Sequence, residues 1–226
     1  MPLNRAYIFL GPPGAGKGTQ SKRVALQWGV PHLSTGDMLR DAIRRGTELG
    51  RLARPLMERG QLVPDDLVMK MVEERLRESD VASGFVFDGF PRTIPQARQL
   101  DRILENRGFG KPVVIEFCVN EDALIRRLSG RRTCSVGGEI YNLYDAPPKV
   151  DGICDRDGGK LEQRPDDRPE VVKDRLCAYD RQTRPLAEYY SRQNALDEVD
   201  ASRNMEEVSR ALTEIMRRAE GPNGRL

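Results

Sequence analysis

Residues 11–20 read GPPGAGKGTQ, directly after the apolar run Ala6–Leu10 and before a stretch in which Val24, Ala25 and Trp28 recur at helical spacing. Strand, glycine-rich turn and helix in that order aim several backbone N–H groups, and the positive end of the helix dipole, at one point. Anions bind at such a point. Gly11, Gly14 and Gly16 permit backbone geometry that a side chain would obstruct, and Lys17 can reach the outer phosphates of a nucleoside triphosphate. One position departs from the usual P-loop pattern. Gly18 stands where a serine or threonine hydroxyl commonly binds Mg²⁺, so Thr19 or another residue has to help position the metal.

Outward from the loop, strands and helices alternate. Ser34 and Thr35 offer caps ahead of a short helix that Gly46 stops, and VPDDLVMKMVEERLRES carries Leu67, Val68, Met71, Val72 and Leu76 on one face behind Pro64 and Asp65. GFVFDGFP reads as a buried strand running into a turn, with Pro95 at the head of the next helix; PVVIEFCV is another β-branched run, followed by the helix EDALIRRLSG. From Arg131 to Gln163 helical periodicity is missing and glycines and prolines are frequent, as in a small twisted hairpin module. Helical pattern returns at Asp167, with Val171, Val172, Leu176 and Tyr179 on one face, and the strand LDEVD precedes a last helix holding Val208, Leu212, Ile215 and Met216. This alternation predicts an α/β fold, a doubly wound parallel sheet with helices on both faces. The closing AEGPNGRL is expected to fray.

The chain's 226 residues suffice for one sizeable core with inserted modules. Because 37 Lys and Arg nearly cancel 35 Asp and Glu, neither nucleic acid nor a membrane is demanded as a partner. Ala6–Leu10 is too short for a signal-peptide core or a membrane span, and four cysteines make no disulfide framework, so a cytoplasmic location is expected.

Five stretches, GPPGAGKGT, STGDMLR, DGFPRT followed by Gln96, GRR at 130–132 and RPDD at 164–167, together and in this order resemble the adenylate kinase family over nearly the whole chain. GKGT, with glycine after the lysine, looks like that family's own form of the loop. The resemblance implies a monomeric phosphotransferase that moves the terminal phosphoryl group of Mg-ATP to AMP, giving two ADP. It further implies a five-stranded P-loop core of 1–33, 64–130 and 164–226, a small helical AMP-binding insertion at 34–63, and a small β lid at 131–163. Both insertions should close over the substrates and exclude water. Phosphoryl transfer passes through a loose, charge-rich transition state, so it needs positioning and cationic contacts more than a nucleophile. The planar fork of arginine suits phosphate oxygens.

Carried over motif by motif, the resemblance implies that Lys17 contacts the transferred phosphate. Arg40 and Arg92 would hold the acceptor phosphate and Arg127 and Arg131 the ATP phosphates, while Arg164 and Arg175 complete the cage and reach the AMP side. Gly14, Ala15, Gly16, Gly18 and Thr19 would wrap the donor phosphates, with Ile140, Tyr141 and backbone near Arg203 around the donor base. Thr35 and Gln96 would read the acceptor base, beside backbone from Gln61 through Leu62 to Val63 and from Gly89 through Phe90 and Pro91 to Arg92. Asp88 ends an apolar strand, where a buried carboxylate is costly unless paired or near a metal; the resemblance has it orient water on Mg²⁺. Taken singly, such an arginine reads as a surface charge, Gln96 as a solvent-facing helix residue and Asp88 as a cap. The motifs in series reverse that preference.

Long lids in many members of the resembled family carry structural zinc on Cys-x-x-Cys and a second Cys-x-x-Cys or Cys-x-x-Asp. Here Cys134, Cys154 and Asp157 match, but Gly137 replaces the fourth ligand. A closed structural site needs four, so the expectation is a lid that folds without stoichiometric zinc; three ligands and a water are the other outcome. Competing readings of the whole chain are a kinase for another nucleoside monophosphate, a GTP-dependent AMP kinase, and a nucleotide-binding switch that transfers nothing. STGD with Thr35 resembles the adenylate enzymes, which implies AMP as acceptor, and no Asn-Lys-x-Asp stretch is present to read guanine. Every matched arginine position is filled, which argues against a silent sensor.

Overall fold

The structure, a computed structural model, describes residues 5–221. In chain order the elements are β1 (Ala6–Leu10), α1 (Lys17–Trp28), β2 (His32–Ser34), α2 (Thr35–Arg44), α3 (Glu48–Glu58), α4 (Asp65–Leu76), β3 (Phe85–Asp88), α5 (Ile94–Asn106), β4 (Val113–Cys118) and α6 (Glu121–Gly130). There follow β5 (Arg131–Cys134), β6 (Ile140–Asn142), β7 (Leu161–Glu162), α7 (Pro169–Ala178), α8 (Pro185–Ser191), β8 (Leu196–Asp200) and α9 (Met205–Glu220). Of the tail expected to fray, Ala219 and Glu220 close α9, and residues 222–226 lie outside the described residues.

Five strands form one parallel sheet in the order β2-β3-β1-β4-β8. Every residue of β1 is buried, with Ala6, Ile8 and Leu10 entering one hydrophobic cluster and Tyr7 and Phe9 another. The strand therefore has no wet face, which is why its sequence is a continuous apolar run. β3 divides the same way, Phe85 and Phe87 packing with α4 and α5 residues such as Val72 and Leu100, while Val86 joins Val24 of α1 and Leu212 of α9 on the other side. A parallel sheet must be covered on both faces, and the helices supply both covers.

The register aligns the strand ends. Ser34 and Phe9 both stand opposite Asp88, so β1, β2 and β3 release their loops at one edge. Ligands of open α/β sheets bind at that edge. A separate antiparallel sheet, β6-β5-β7, forms within the glycine-rich stretch, as its hairpin-like composition predicts.

Three elements were not legible beforehand. β2 has only three residues; α3 contains Pro55 and starts four residues after α2 ends; α8 begins at Pro185, with Arg184 alone separating it from a π-helical turn over Tyr179–Thr183. Gly50 explains how α3 fits, because a Cβ there would run into the Ala42 backbone of α2. Ser34, and not Thr35, caps α2, its hydroxyl accepting from the Asp37 N–H at 3.3 Å.

Candidate active site

Apart from Ala15 and Arg203, every residue assigned a catalytic or nucleotide-binding role from the sequence lines one cleft, of about 320 Å³, at the loop edge of the five-stranded sheet. Ala15, within the glycine-rich loop, is buried, and the Arg203 side chain is exposed, its Nε 3.1 Å from Asp200 Oδ2. Eight basic side chains line the cleft against the carboxylates of Asp37, Asp88 and Asp166 alone, so its natural occupant is a polyanion.

The loop itself is held by left-handed glycines. Gly14 and Gly16 have φ of 87° and 92°, a region closed to most side chains, and a Cβ on Gly14 would meet Leu128 Cγ at 2.9 Å. Lys17 folds back so that Nζ donates to the Gly11 and Pro12 carbonyls at 2.6 and 2.8 Å. Burial, together with Arg92, Arg175 and Arg131, outweighs nearby Asp88 and lowers the Lys17 pKa to about 7.

Asp88 sits at the end of β3, its Oδ2 3.5 Å from His32 Nε2. Its pKa lies below the ordinary carboxylate range; burial opposes this but is outweighed by the His32 contact and the charge of Lys17. An ionised oxygen donor beside the phosphate loop fits Mg²⁺, which favours such ligands. Gly18 also makes room for it, since a Cβ there would stand 3.0 Å from Asp88 Oδ2.

The guanidinium groups are fixed one by one. Arg131 grips Asp167 through Nε and Nη2 at 2.7 and 2.5 Å, and Arg175 Nη1 reaches the same carboxylate at 2.8 Å. Arg127 Nη1 donates to the Ala201 carbonyl at 2.8 Å, Arg164 Nε to Thr133 Oγ1 at 2.9 Å, and Arg40 Nη2 to Asp37 Oδ1 at 2.6 Å. Arg92 is tied at three points: Nε donates to the Gly89 carbonyl, its N–H to Gln96 Oε1, and its C=O accepts from Thr183 Oγ1, at 2.8, 2.8 and 2.9 Å. Burial and repulsion among these cations lower Arg92 to about 10 and Arg164 to about 9. All remain charged near pH 7, in a site that lacks anions to match them.

Sequence reasoning missed Asp167, Thr183 and Asp65. Asp167 is wholly buried, and its signal lay in RPDD, where only the arginine was taken. Asp65 was read as a helix start, yet it accepts from Thr93 Oγ1 and Gln96 Nε2, both at 2.7 Å. Thr35 donates to the Gly89 carbonyl at 3.1 Å, joining α2 to the loop that carries Arg92.

In the smaller sheet, donor atoms of Cys134, Cys154 and Asp157 lie within 4.8 Å of one another, and Gly137 contributes none. The Asp157 carboxylate leans against Gly137, where a Cβ would run into its Oδ2. The Cys134 thiol donates to Asp157 Oδ1 at 3.1 Å, and Gly159 N–H to the same oxygen at 2.9 Å. Contacts from Cys154, Gly159 and Cys134 hold the Asp157 carboxyl down to about 2. A closed tetrahedral zinc site does not fit these residues.

A family model described as adenylate kinase matches residues 9–195. The chain is 48% identical to an adenylate kinase of Lachnospira eligens over 92% of its own length and 98% of that protein. It is 47% identical to an adenylate kinase of Archaeoglobus fulgidus over 92% and 96%, and 47% identical to one of Caldanaerobacter subterraneus over 89% and 91%. Among the described residues no helix is long and apolar enough to cross a membrane.

Proposed function

The chain belongs to the adenylate kinase family, and from that premise we infer how its own residues carry the terminal phosphoryl group of ATP to AMP, giving two ADP. The observation that carries the reading is the convergence of eight basic side chains on the glycine-rich loop with only three carboxylates among them. Backbone N–H groups of residues 14–19 and Lys17 hold the donor phosphates. Arg127 and Arg131 grip them from the other side, and Arg40 and Arg92 present the acceptor phosphate in line. Arg164 and Arg175 bridge the two nucleotides. Negative charge developing on the transferred group meets cations that are already fixed, so little reorganisation is needed during transfer.

Mg²⁺ arrives with ATP, and Asp88 with Thr19 would orient its water shell; the ion neutralises phosphate charge. Residues 34–63 and 131–163 act as the acceptor-binding insertion and the lid, closing to exclude water that would otherwise take the phosphoryl group. Residues 131–163 fold without stoichiometric zinc. All the named groups come from one chain, which supports action as a monomer.

The test offers Mg-ATP with AMP, GMP, CMP, UMP or dTMP separately and resolves the products by chromatography. Conversion of AMP alone, with two ADP formed per ATP consumed, is the expected result. Preference for another monophosphate would overturn the roles of Thr35 and Gln96, and ATP binding without transfer to any acceptor would overturn the mechanism.

A further inference from the structure

We propose that Asp65 is a positioning residue that fixes which way round the Gln96 amide faces the acceptor base, and so sets the preference for a 6-aminopurine over a 6-oxopurine monophosphate. The proposal rests on the reading of Gln96 as an acceptor-base contact.

Gln96 is 2% exposed, and both ends of its amide are engaged: Oε1 accepts the Arg92 N–H at 2.8 Å and Nε2 donates to Asp65 Oδ1 at 2.7 Å. A backbone N–H only donates and an ionised carboxylate only accepts. Turning the amide over would set N–H against N–H at one end and oxygen against oxygen at the other. Asp65 is itself held, since Thr93 Oγ1 donates to its second oxygen at 2.7 Å while accepting the Gln96 N–H at 3.3 Å.

One Oε1 lone pair and one Nε2 hydrogen are left for the cleft, in an order the protein has chosen. A 6-aminopurine offers a donor at its exocyclic nitrogen and an acceptor at N1. A 6-oxopurine offers the reverse, so in the same pose it meets like against like. Rejection by an unpaired or repulsive pairing is the stronger route to selectivity. Without the carboxylate, turning the amide over meets one unfavourable pairing instead of two, and the wrong base gains ground.

The experiment measures kcat and KM with AMP and with IMP as acceptors under saturating Mg-ATP. The proteins are the wild type, Asp65→Asn, Asp65→Ser, Gln96→Ala and the Asp65→Asn/Gln96→Ala double variant, each with its melting temperature. Asp65 is the first residue of α4 and makes no capping hydrogen bond, so a small polar serine there leaves the helix start as it is. The expected result is a fall of at least about fivefold in the AMP-to-IMP ratio of kcat/KM for both Asp65 variants, the size of one lost base-reading pair. The change falls on KM more than on kcat, because Asp65 touches Gln96 and Thr93 and none of the arginines themselves. In the Gln96→Ala background, Asp65→Asn leaves the ratio where it was. A ratio within about twofold of wild type in either folded Asp65 variant overturns the proposal, as does a further fall in the Gln96→Ala background. Wild-type protein that fails to phosphorylate AMP overturns the acceptor reading itself; wild-type selectivity for AMP that survives loss of Asp65 overturns only the positioning role.

Discussion

Asp167 holds Arg131 with two hydrogen bonds, of 2.7 and 2.5 Å, and shares one of its oxygens with Arg175 at 2.8 Å, while its own side chain is fully buried. One carboxylate thus fixes cations that β5 and α7 bring from distant parts of the chain. Asp167→Asn leaves the partly buried Arg131 without its carboxylate, while Arg175 keeps Asp166 at 3.1 Å, and removing one partner of a buried pair costs about 3 kcal/mol or more. Chemical denaturation should show that loss, and steady-state kinetics should show kcat falling more than KM for AMP changes. Stability within about 0.5 kcal/mol of wild type, the scatter of ordinary surface changes, would remove Asp167 from this role.

Lys17 supplies a pH signature. Its pKa is lowered from 10.5 to about 7 by burial and the surrounding arginines. Between those values the unfolded chain holds a proton that the folded chain lacks, so this group favours the folded state increasingly as pH rises from 7 to 10.5 and contributes no slope below 7. In its proposed role against the ATP phosphates, Lys17 regains the charge on binding. Binding at pH 8 should therefore take up close to one proton, and at pH 6 almost none, as read by calorimetry in buffers of different ionisation enthalpy. Lys17→Met, compared under the same conditions to cancel the nucleotide's own titration, should lose that uptake and lower kcat by about 10²-fold or more. Equal uptake in the variant would assign the proton elsewhere.

The alternation of apolar runs and helical faces made the sheet and its covers legible, because a parallel strand buried on both sides, like β1, has no polar residues to blur it. The cleft was legible for a different reason: the glycine-rich turn ahead of a helix reads as an anion site by itself, and the resemblance to the family's motifs supplied the arginines. What stayed hidden were groups that act through others. Asp167, Thr183 and Asp65 touch arginine, backbone or amide partners that are distant in sequence, 91 residues in the case of Thr183 and Arg92. α3 stayed hidden because its fit depends on Gly50 approaching the α2 backbone, a contact with no local periodicity.

Thr183 lies on the π-helical turn between α7 and α8 and donates to the Arg92 carbonyl at 2.9 Å. Thr183→Val keeps the shape and removes the donor. A buried carbonyl left without a partner costs about 1–3 kcal/mol, and the backbone carrying Arg92 loses one of its anchors. The expected outcome is a lower melting temperature together with a KM for AMP raised about tenfold and a KM for ATP changed little. Equal effects on both nucleotides would place the damage in the fold and not at the acceptor phosphate.

The smaller sheet, the proposed lid, gives the last prediction. Cys134, Cys154 and Asp157 satisfy one another, and Asp157 Oδ2 fills the space where a side chain at position 137 would begin. Three donors do not close a tetrahedron, so protein purified from zinc-supplemented medium should carry well under one zinc per chain by elemental analysis, and chelator should leave its melting temperature unchanged. One zinc per chain, removed by chelator with loss of stability, would sink this account. Gly137→Cys tests the same geometry from the other side. The new side chain must push Asp157 aside by a small shift to fit; with zinc present it joins Cys134, Cys154 and Asp157 as the fourth ligand and stabilises the smaller sheet, and without zinc it only crowds the site. Zinc should therefore raise the melting temperature of the variant by several degrees while leaving the wild type unmoved, because only a metal bound to the folded state shifts the equilibrium.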